Sequence, residues 1–478
     1  MTDFSFYWHD YETFGVDPAR DRPSQFAGVR TDADFNIIGE PLVIYCKPAS
    51  DMLPHPEACL ITGITPQHAL QNGVSEAEFI ALIHREFSQP GTCAVGYNSI
   101  RFDDEVSRYT LYRNFYDPYA REWQNGNSRW DIIDMVRACR ALRPEGLEWP
   151  NHEDGTPSFK LEQLTVANGI SHDAAHDALS DVYATIAMAK LIKEKQPKLY
   201  DYLFQLRNKN KVADLLNTIE KTPVLHTSAM FPATRFCTSL VMPLARHPTN
   251  KNGIIAYDLK FDPTDLINLS ADEIRSRLFI SSAELSENVT RIPLKTIHTN
   301  RCPVVVTSKL LDENVAEKIS LDLPSARKYY KRLKEETTLG EKLTEVFLNT
   351  EFPVQHDPDV MLYSGGFFGK NDKEVMSMIR NSTASELRDS SFHFEDKRLP
   401  EMLFRYRARN FPESLTDEET LLWDEFRYQR LTESGEGGSI VMDTLLEKIE
   451  GYLANDELPD KDREVLQQLL AYTDVLLG

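Results

Sequence analysis

Closely spaced cysteine pairs are missing from this chain. Its six cysteines, Cys46, Cys59, Cys93, Cys139, Cys237 and Cys302, form no CxxC spacing, which excludes a zinc ribbon and a thioredoxin-like redox motif. Six thiols spread over 478 residues read as reduced side chains of a cytoplasmic protein rather than as a disulfide framework. No apolar run is long enough to cross a bilayer, which argues against an integral membrane protein. The opening Met1-Thr2-Asp3-Phe4 has neither a basic n-region nor a small-residue cleavage site, so no signal peptide is expected. Surplus positive charge is missing as well. Lys and Arg number 53 against 74 Asp and Glu, a net charge of −21, which argues against a coat of basic charge for holding duplex DNA nonspecifically. Basic contacts confined to one groove remain compatible with that balance. There is no internal repeat.

What is present is a globular composition, 41% hydrophobic and 27% charged. The length allows about three domains at roughly 150 residues each. Residues 1–196 alternate strand-like and helix-like patterns, as an α/β domain does. Phe4 to Thr13, Ser24 to Thr31, Pro41 to Lys47 and Thr92 to Tyr97 read as strands, and Trp130 to Val136 as a further one. Glu76 to Phe87, Asp104 to Phe115 and Asp177 to Glu194 read as helices. Gln196-Pro197 breaks this pattern. Residues 197–350 begin with a helical stretch, Leu199 to Asn217, and continue through short β-like runs such as Gly253 to Leu259 and Cys302 to Val306. The turn signals His247-Pro248, Asn252-Gly253 and Asp262-Pro263 separate these runs. Residues 351–478 are helical in pattern, interrupted by a flexible loop at Glu433-Ser434-Gly435-Glu436-Gly437-Gly438.

Acidic residues at three places carry the chemistry. In His9-Asp10-Tyr11-Glu12-Thr13-Phe14-Gly15, a strand sends Asp10 and Glu12 out of the same face. Two like charges there repel unless a cation sits between them, although an exposed strand face also carries acids. In Asn98-Ser99-Ile100-Arg101-Phe102-Asp103-Asp104-Glu105, Asp103 falls near a helix N-terminus directly after an apolar run. The helix macrodipole accounts for Asp104 and Glu105, but not for Asn and Phe-Asp at that point. In His176-Asp177-Ala178-Leu179-Ser180-Asp181, Asp181 lies about one turn into the late helix, with His176 at its start. Singly, each has an ordinary structural explanation.

Together, acid-x-acid on the first strand, Phe-Asp after a later strand and His-x-x-x-x-Asp opening a late helix resemble the DEDDh exonuclease superfamily. Leu60-Ile61-Thr62-Gly63-Ile64-Thr65-Pro66 adds to that resemblance. Three residues, Ser99 to Arg101, separate Asn98 from Phe102-Asp103, where many members have two. More closely, four strings resemble the bacterial exonuclease I family: His9 to Gly15, Arg101 to Glu105, Arg113-Asn114-Phe115-Tyr116-Asp117-Pro118-Tyr119, and Arg405-Tyr406-Arg407-Ala408-Arg409-Asn410-Phe411-Pro412. This resemblance covers essentially the whole chain. It implies an RNase H-like α/β nuclease domain (1–196), a β-rich SH3-like domain with helical additions (197–350) and an all-α C-terminal domain (351–478).

The implied activity is metal-dependent 3′→5′ exonucleolysis of single-stranded DNA, processive and yielding 5′-mononucleotides, in DNA repair and recombination. Asp10, Glu12, Asp103 and Asp181 would hold two Mg²⁺ ions, with Mn²⁺ able to substitute. His176 would be the general base. Arg108, Tyr119, Trp123, Arg137, Phe159 and Lys160 match family positions near the DNA, and Glu12 is counted with them. Tyr363, Phe367 and Phe368, around Gly365-Gly366, suggest an aromatic wall. Phe115 and Trp130 read as core. Arg101, Arg113 and Arg143 belong to the same basic set in the first domain, while Arg405, Arg407 and Arg409 suit phosphate or helix-surface ion pairs equally. By resemblance the partners are single-stranded DNA and the acidic tail of single-stranded DNA-binding protein, to which Arg143 and Tyr202 would contribute. A monomer, cytoplasmic and nucleoid-associated through DNA, is expected. The alternatives are a DEDDh RNase, a proofreading-type exonuclease, or a catalytically silent single-strand-binding scaffold; presence of all five catalytic-type residues disfavours the last.

Overall fold

A computed structural model describes residues 4–171, 177–280, 289–348 and 355–477. The chain forms two compact units. The first comprises Met1–Ser128, His172–Ile186 and Val354–Gly478, and the second Arg129–Ser171 and Ala187–Pro353.

The first unit is organised by strand β1 (Ser5–Thr13). It pairs antiparallel with β2 (Pro23–Thr31), which pairs antiparallel with β3 (Leu42–Tyr45). On its other edge β1 pairs parallel with β4 (Thr92–Gly96). Alternation along β1 sets two faces. Tyr7 and Tyr11 point to a core shared with Phe26 and with Phe79, Ile80, Ile83 and Phe87 of the helix Glu76–Phe87. Phe6 and Trp8 point the other way and pack on Phe35. Asp10 and Glu12 continue this second face, so one face of one strand changes from aromatic to acidic. The helix Glu76–Phe87 starts where the pattern placed it, because the Ser75 side chain caps it by accepting from the Glu78 amide.

The C-terminal helices belong to this same unit. Leu431, Leu445, Ile449, Leu466 and Leu469 share a core with Phe14, Met52, Leu53 and Cys59. Met376, Ile379, Leu399 and Met402 share another with Tyr112 and Phe115. A buried ionic network accompanies these two cores. The fully buried Asp51 accepts from Arg409 Nε at 3.1 Å and Nη2 at 2.7 Å. Asp359 accepts from Arg409 at 2.7 Å and Arg405 at 3.1 Å. Asp357 accepts from Arg405 at 2.6 Å and Arg430 at 2.9 Å. Arg407 donates to Glu419 at 2.7 Å. Of the two readings open for Arg405, Arg407 and Arg409, the structure realises ion pairing, and mostly inside the protein rather than on a helix surface.

The chain passes into the second unit within β5 (Ser128–Asp131). The expected strand over Trp130 to Val136 ends early. Ile133–Leu142 is a helix, because its apolar residues follow helical spacing and bury Met135, Val136, Ala138 and Cys139 on one side. The expected helix from Leu199 to Asn217 is two, Pro197–Gln205 and Lys209–Leu215. Asn208 restarts it by accepting from the Asn210 amide. The unit contains an antiparallel sheet of β6 (Val224–Thr227), β7 (Thr238–Arg246), β8 (Gly253–Asp258), β9 (Leu294–His298) and β10 (Val304–Thr307), in the order β10-β6-β7-β8-β9. All six cysteines are free thiols. No helix among the described residues is long and apolar enough to cross a membrane.

Burial alone would push the Asp51 and Asp359 carboxyls up, but the surrounding guanidinium groups outweigh it and hold both well below the ordinary value of 3.8. Folded values below the unfolded ones mean stability that is present at neutral pH and lost as pH falls through and below 3.8. Asp51→Ala leaves Arg409 and Arg430 short of a buried counter-charge. It is expected to cost about 3–5 kcal/mol in urea denaturation at pH 7, with the difference from wild type shrinking in acid.

Candidate active site

Three elements of the first unit meet at the acidic end of β1. Asp10 stands opposite Ala27 and Glu12 opposite Gln25, just before the register shifts at Thr13. The β1–β4 ladder ends with Trp8 opposite Val95. Past that end, the Tyr11 amide donates to Asp103 Oδ1 at 3.0 Å. Asp103 reaches it because the chain turns sharply after β4. A Cβ on Gly96 would sit 2.5 Å from that of Ser99, so only glycine allows the close approach. Asn98 takes the left-handed conformation at φ 63°, a conformation asparagine tolerates better than most residues. The helix Asp103–Arg113 follows, and its Ser107 hydroxyl donates to the Tyr11 hydroxyl at 2.9 Å.

Asp181 arrives on the helix Ala178–Lys195. Its amide donates to the Asp177 carbonyl at 3.1 Å, and Asp177 Oδ2 accepts from Ser180 N at 3.2 Å. Gln25 fastens this helix start to β2. Its Nε2 donates to Asp177 Oδ1 at 3.3 Å, and its Oε1 accepts from Ala178 N at 3.3 Å. The sequence reading missed Gln25. The available signal was strand pairing, since Gln25 lies directly across from Glu12.

As a result, one carboxylate oxygen each from Asp10, Glu12 and Asp181 lies within 4.8 Å of the others. Burial first, and then Asp103, Glu12, Asp181 and Asp177, push the Asp10 carboxyl far above its ordinary range. Burial and the charges of Asp181, Asp103 and Asp177 push Glu12 up to about 8. Oxygen-only donors, crowded together and resisting ionisation, fit a hard divalent cation, whose charge removes the repulsion. His176 lies outside the described residues.

The expected DNA-contacting residues fall in both units. In the first, Tyr119 stands between Tyr363 at 6.5 Å and Phe367 at 6.0 Å, centroid to centroid, while Tyr109 flanks Tyr363 at 6.0 Å. Phe367 is 85% exposed, Trp123 65% and Tyr363 54%. Arg108 is buried beneath this group. It donates to Glu122 at 2.8 and 2.9 Å, to Glu105 at 2.6 Å and to the Tyr363 hydroxyl at 3.0 Å. Its charge is therefore spent inside the protein, where it holds Tyr363 and lies 5.3 Å from the Tyr119 ring centroid. Arg113 is likewise internal, donating to Glu76, whereas Arg101 is exposed. Phe115 is core, as expected. In the second unit Arg137 donates to Asp134 at 2.7 Å and lies 5.7 Å from the Phe159 ring centroid. Lys160 is exposed, with Glu162 at 3.7 Å. Arg143 donates to the Leu142 carbonyl, and the Tyr202 hydroxyl to the Val305 carbonyl at 3.1 Å. Trp130 is core there.

Family models cover most of the sequence. An exonuclease model matches residues 7–189, the Exonuclease I SH3-like domain residues 207–349, and the Exonuclease I C-terminal domain residues 356–476. Exodeoxyribonuclease I of Haemophilus influenzae is 47% identical over 481 residues, all of both chains. That of Escherichia coli K12 is 49% identical over 429 residues, 90% of each. Among solved structures, an Exonuclease I from Methylocaldum szegediense superposes with a TM-score of 0.96 at 54% identity, covering 99% of this chain and all of that one. E. coli Exonuclease I in complex with a dA16 oligonucleotide gives 0.95 at 45% identity over 99% of this chain and all of that one. A zinc-bound form of the E. coli complex with single-stranded DNA gives 0.94 at 45%, covering both chains fully. The architecture is therefore the one the sequence implied: an α/β exonuclease domain, an SH3-like domain and a helical C-terminal domain.

Two outcomes follow from the site. Unfolded, the Glu12 carboxyl ionises near 4.5; folded and metal-free, it stays protonated up to about 8. Folding therefore takes up a proton in that window, and stability in EDTA falls as pH rises through it. Thermal melts of Glu12→Gln in EDTA are expected to lose less stability than wild type between about pH 5 and 8. Gln25→Leu removes both ties to the Asp181 helix. At about 1 kcal/mol each, their loss is expected to weaken Mn²⁺ binding about tenfold or more in calorimetry at pH 8, with secondary structure by circular dichroism unchanged.

Proposed function

This chain belongs to the bacterial exonuclease I family, and on that premise we propose that it removes nucleotides from the 3′ end of single-stranded DNA, releasing 5′-mononucleotides. The observation that carries this reading is the convergence of Asp10, Glu12 and Asp181 on one point, within a chain aligned end to end with relatives solved on single strands. Asp10, Glu12 and Asp181 would hold one divalent ion, and Asp103, beside Asp10, would help to hold a second. When bound, such ions relieve charge on the scissile phosphate and supply an activated water. The all-oxygen donor set favours Mg²⁺, with Mn²⁺ a substitute. Asp103 has a second task, because its bond to the Tyr11 amide fixes the strand from which Asp10 and Glu12 project. His176, by its place in the family motif, would take the proton of the attacking water.

For substrate, Tyr119, Trp123, Tyr363 and Phe367 offer exposed ring area on which successive bases can stack without sequence preference. Arg108 stiffens this wall from beneath. Arg137, Phe159 and Lys160 are the candidate DNA contacts of the second unit, and hold on a strand at several places would make degradation processive. Arg143 and Tyr202 remain candidates for an acidic partner tail such as that of single-stranded DNA-binding protein. A deoxyribose specificity separates this reading from a DEDDh RNase, since a 2′-hydroxyl changes the contacts available.

The test uses single-stranded DNA labelled at either end, a hairpin without overhang and an RNA of the same sequence. With Mg²⁺, labelled mononucleotide is expected at once from the 3′-labelled strand only, and not from the hairpin. EDTA or Asp181→Ala is expected to lower the rate at least 10³-fold. Binding without cleavage would support the scaffold instead, and equal cleavage of RNA the RNase.

A further inference from the structure

Beside the buried ionic network lies a small cavity of about 10 Å³, whose lining includes Arg20, Arg22, Asp51, Arg430, Gly438 and Ser439. Arg22 is the unusual member. It is 2% exposed, and its Nε and Nη1 make no hydrogen bond among the described residues. Glu76 Oε2 stands 3.5 Å from Nη1, but Glu76 is already engaged. It accepts from Arg113 at 3.0 and 3.3 Å and from Asn114 at 2.8 Å. Asp51 is engaged as well, by Arg409 at 2.7 and 3.1 Å. Charged donors left without an acceptor in a dry interior carry a larger penalty than neutral ones. The lining holds three guanidinium groups against one carboxylate, a balance that favours an anion over a neutral water. The volume sets its size. About 10 Å³ is the room that one water-sized particle needs, so phosphate and carboxylates are excluded and a single-atom anion is not.

The walls are set by contacts between distant segments. Arg430 donates to Asp357 at 2.9 Å and has Asp51 3.5 Å from its Nε, and Arg20 donates to Asp17 at 2.8 Å. The end of the Glu433–Gly438 loop closes in over them. A Cβ on Gly438 would lie 2.8 Å from the Arg430 carbonyl oxygen, so only glycine allows that approach. The next residue pins the loop, for the Ser439 hydroxyl donates to Asp21 and meets His55 Nε2 at 3.1 Å. Gly15, which ends the acidic motif of β1, makes room for this tie, because a Cβ there would collide with both Asp21 and His55. The loop that the sequence marked only as flexible is thus fastened at its end, beside an arginine with unpaired donors.

We propose that this cavity binds one monatomic anion, a halide such as chloride, held by Arg22 with Arg20 and Arg430 beside it. The ion gives the Arg22 donors an acceptor and offsets the local excess of guanidinium charge. It also adds a contact that holds the Gly438-Ser439 segment against the start of the chain. The site belongs to neither the acidic centre nor the surface for the strand, since a phosphate is too large to enter it.

Crystals of the full-length wild-type protein grown in sodium bromide test it, since bromide replaces chloride and scatters anomalously. An anomalous peak in contact with Arg22 is expected. No peak, or an ordered water only, overturns the site. Thermal melts supply the second readout. At constant ionic strength, exchanging sodium gluconate for sodium chloride is expected to raise the wild-type Tm by about 1–3 °C, as a ligand bound only by the folded state does. Arg22→Met is expected to lose that rise. Arg20→Met, at a half-buried position, is expected to shrink it. General effects of salt on the protein surface would persist in both variants, so a rise unchanged in both overturns the proposal. A peak in the crystal without a chloride-dependent melt in wild type means binding at crystal concentration only, and overturns it too. Should Arg22→Met not fold, Arg20→Met and the wild-type crystals decide.

Discussion

Mutual repulsion of carboxylates is the constraint around which the first unit is built. Burial raises the cost of ionising Asp10 and Glu12, the nearby Asp103 and Asp181 raise it for both, and Glu12 raises it further for Asp10. Left to themselves, such groups would splay apart or stay protonated. The surrounding structure prevents the splaying. Asp10 and Glu12 cannot turn away, because the two faces of β1 are fixed by Tyr7 and Tyr11 on one side and Phe6 and Trp8 on the other. Asp103 is tied to the Tyr11 amide, and the helix bearing Asp181 is tied to β2 through Gln25. A divalent cation is what makes this arrangement favourable. The protein's part is to hold the ligands in place beforehand, at a cost in metal-free stability.

A protein of net charge −21 that handles a polyanion must also use its cations economically. Several of the arginines that look most available from sequence are not. Arg108, Arg113, Arg405 and Arg409 are buried against carboxylates, so their charge is neutralised internally. What the first unit presents instead is ring surface, with Phe367, Trp123 and Tyr363 exposed. On the proposed reading, stacking rather than phosphate contact would be the source of grip there. It suits an enzyme that must accept any base and let the strand advance, because stacking is nearly indifferent to sequence.

The sequence made the acidic centre legible because each of its residues lies at a point where periodicity or a motif fixes direction: two positions on one strand, the residue opening one helix, one turn into another. Strand extents were also readable, since alternating aromatics and turn residues bracket them. Gln25 was not legible, because its role depends on which strand lies across from β1. The fate of Arg405, Arg407 and Arg409 could not be read either. Their partners Asp51, Asp357, Asp359 and Glu419 are brought to them by tertiary packing. The strand expected over Trp130 to Val136 stops at Asp131, because the short apolar run beyond it fits both periods, the ambiguity expected of such runs.

The ionic network explains why helices so far along the chain belong to the site's own unit. Arg405, Arg409 and Arg430 come from the C-terminal segment, and Asp51 from the loop after β3. Exchanging the network for apolar residues need not weaken the fold, but removing either side of it leaves charge stranded in a dry interior. The C-terminal segment is therefore not a detachable addition. It closes the cores around Phe14 and Phe115, neutralises Asp51, and through Arg398 and the Gly365-Gly366 turn sets the rings of Tyr363, Phe367 and Phe368 beside Tyr119. β1 and two helix starts supply the acidic cluster, the C-terminal segment supplies the exposed rings of Tyr363 and Phe367, and buried charge ties that segment to Asp51.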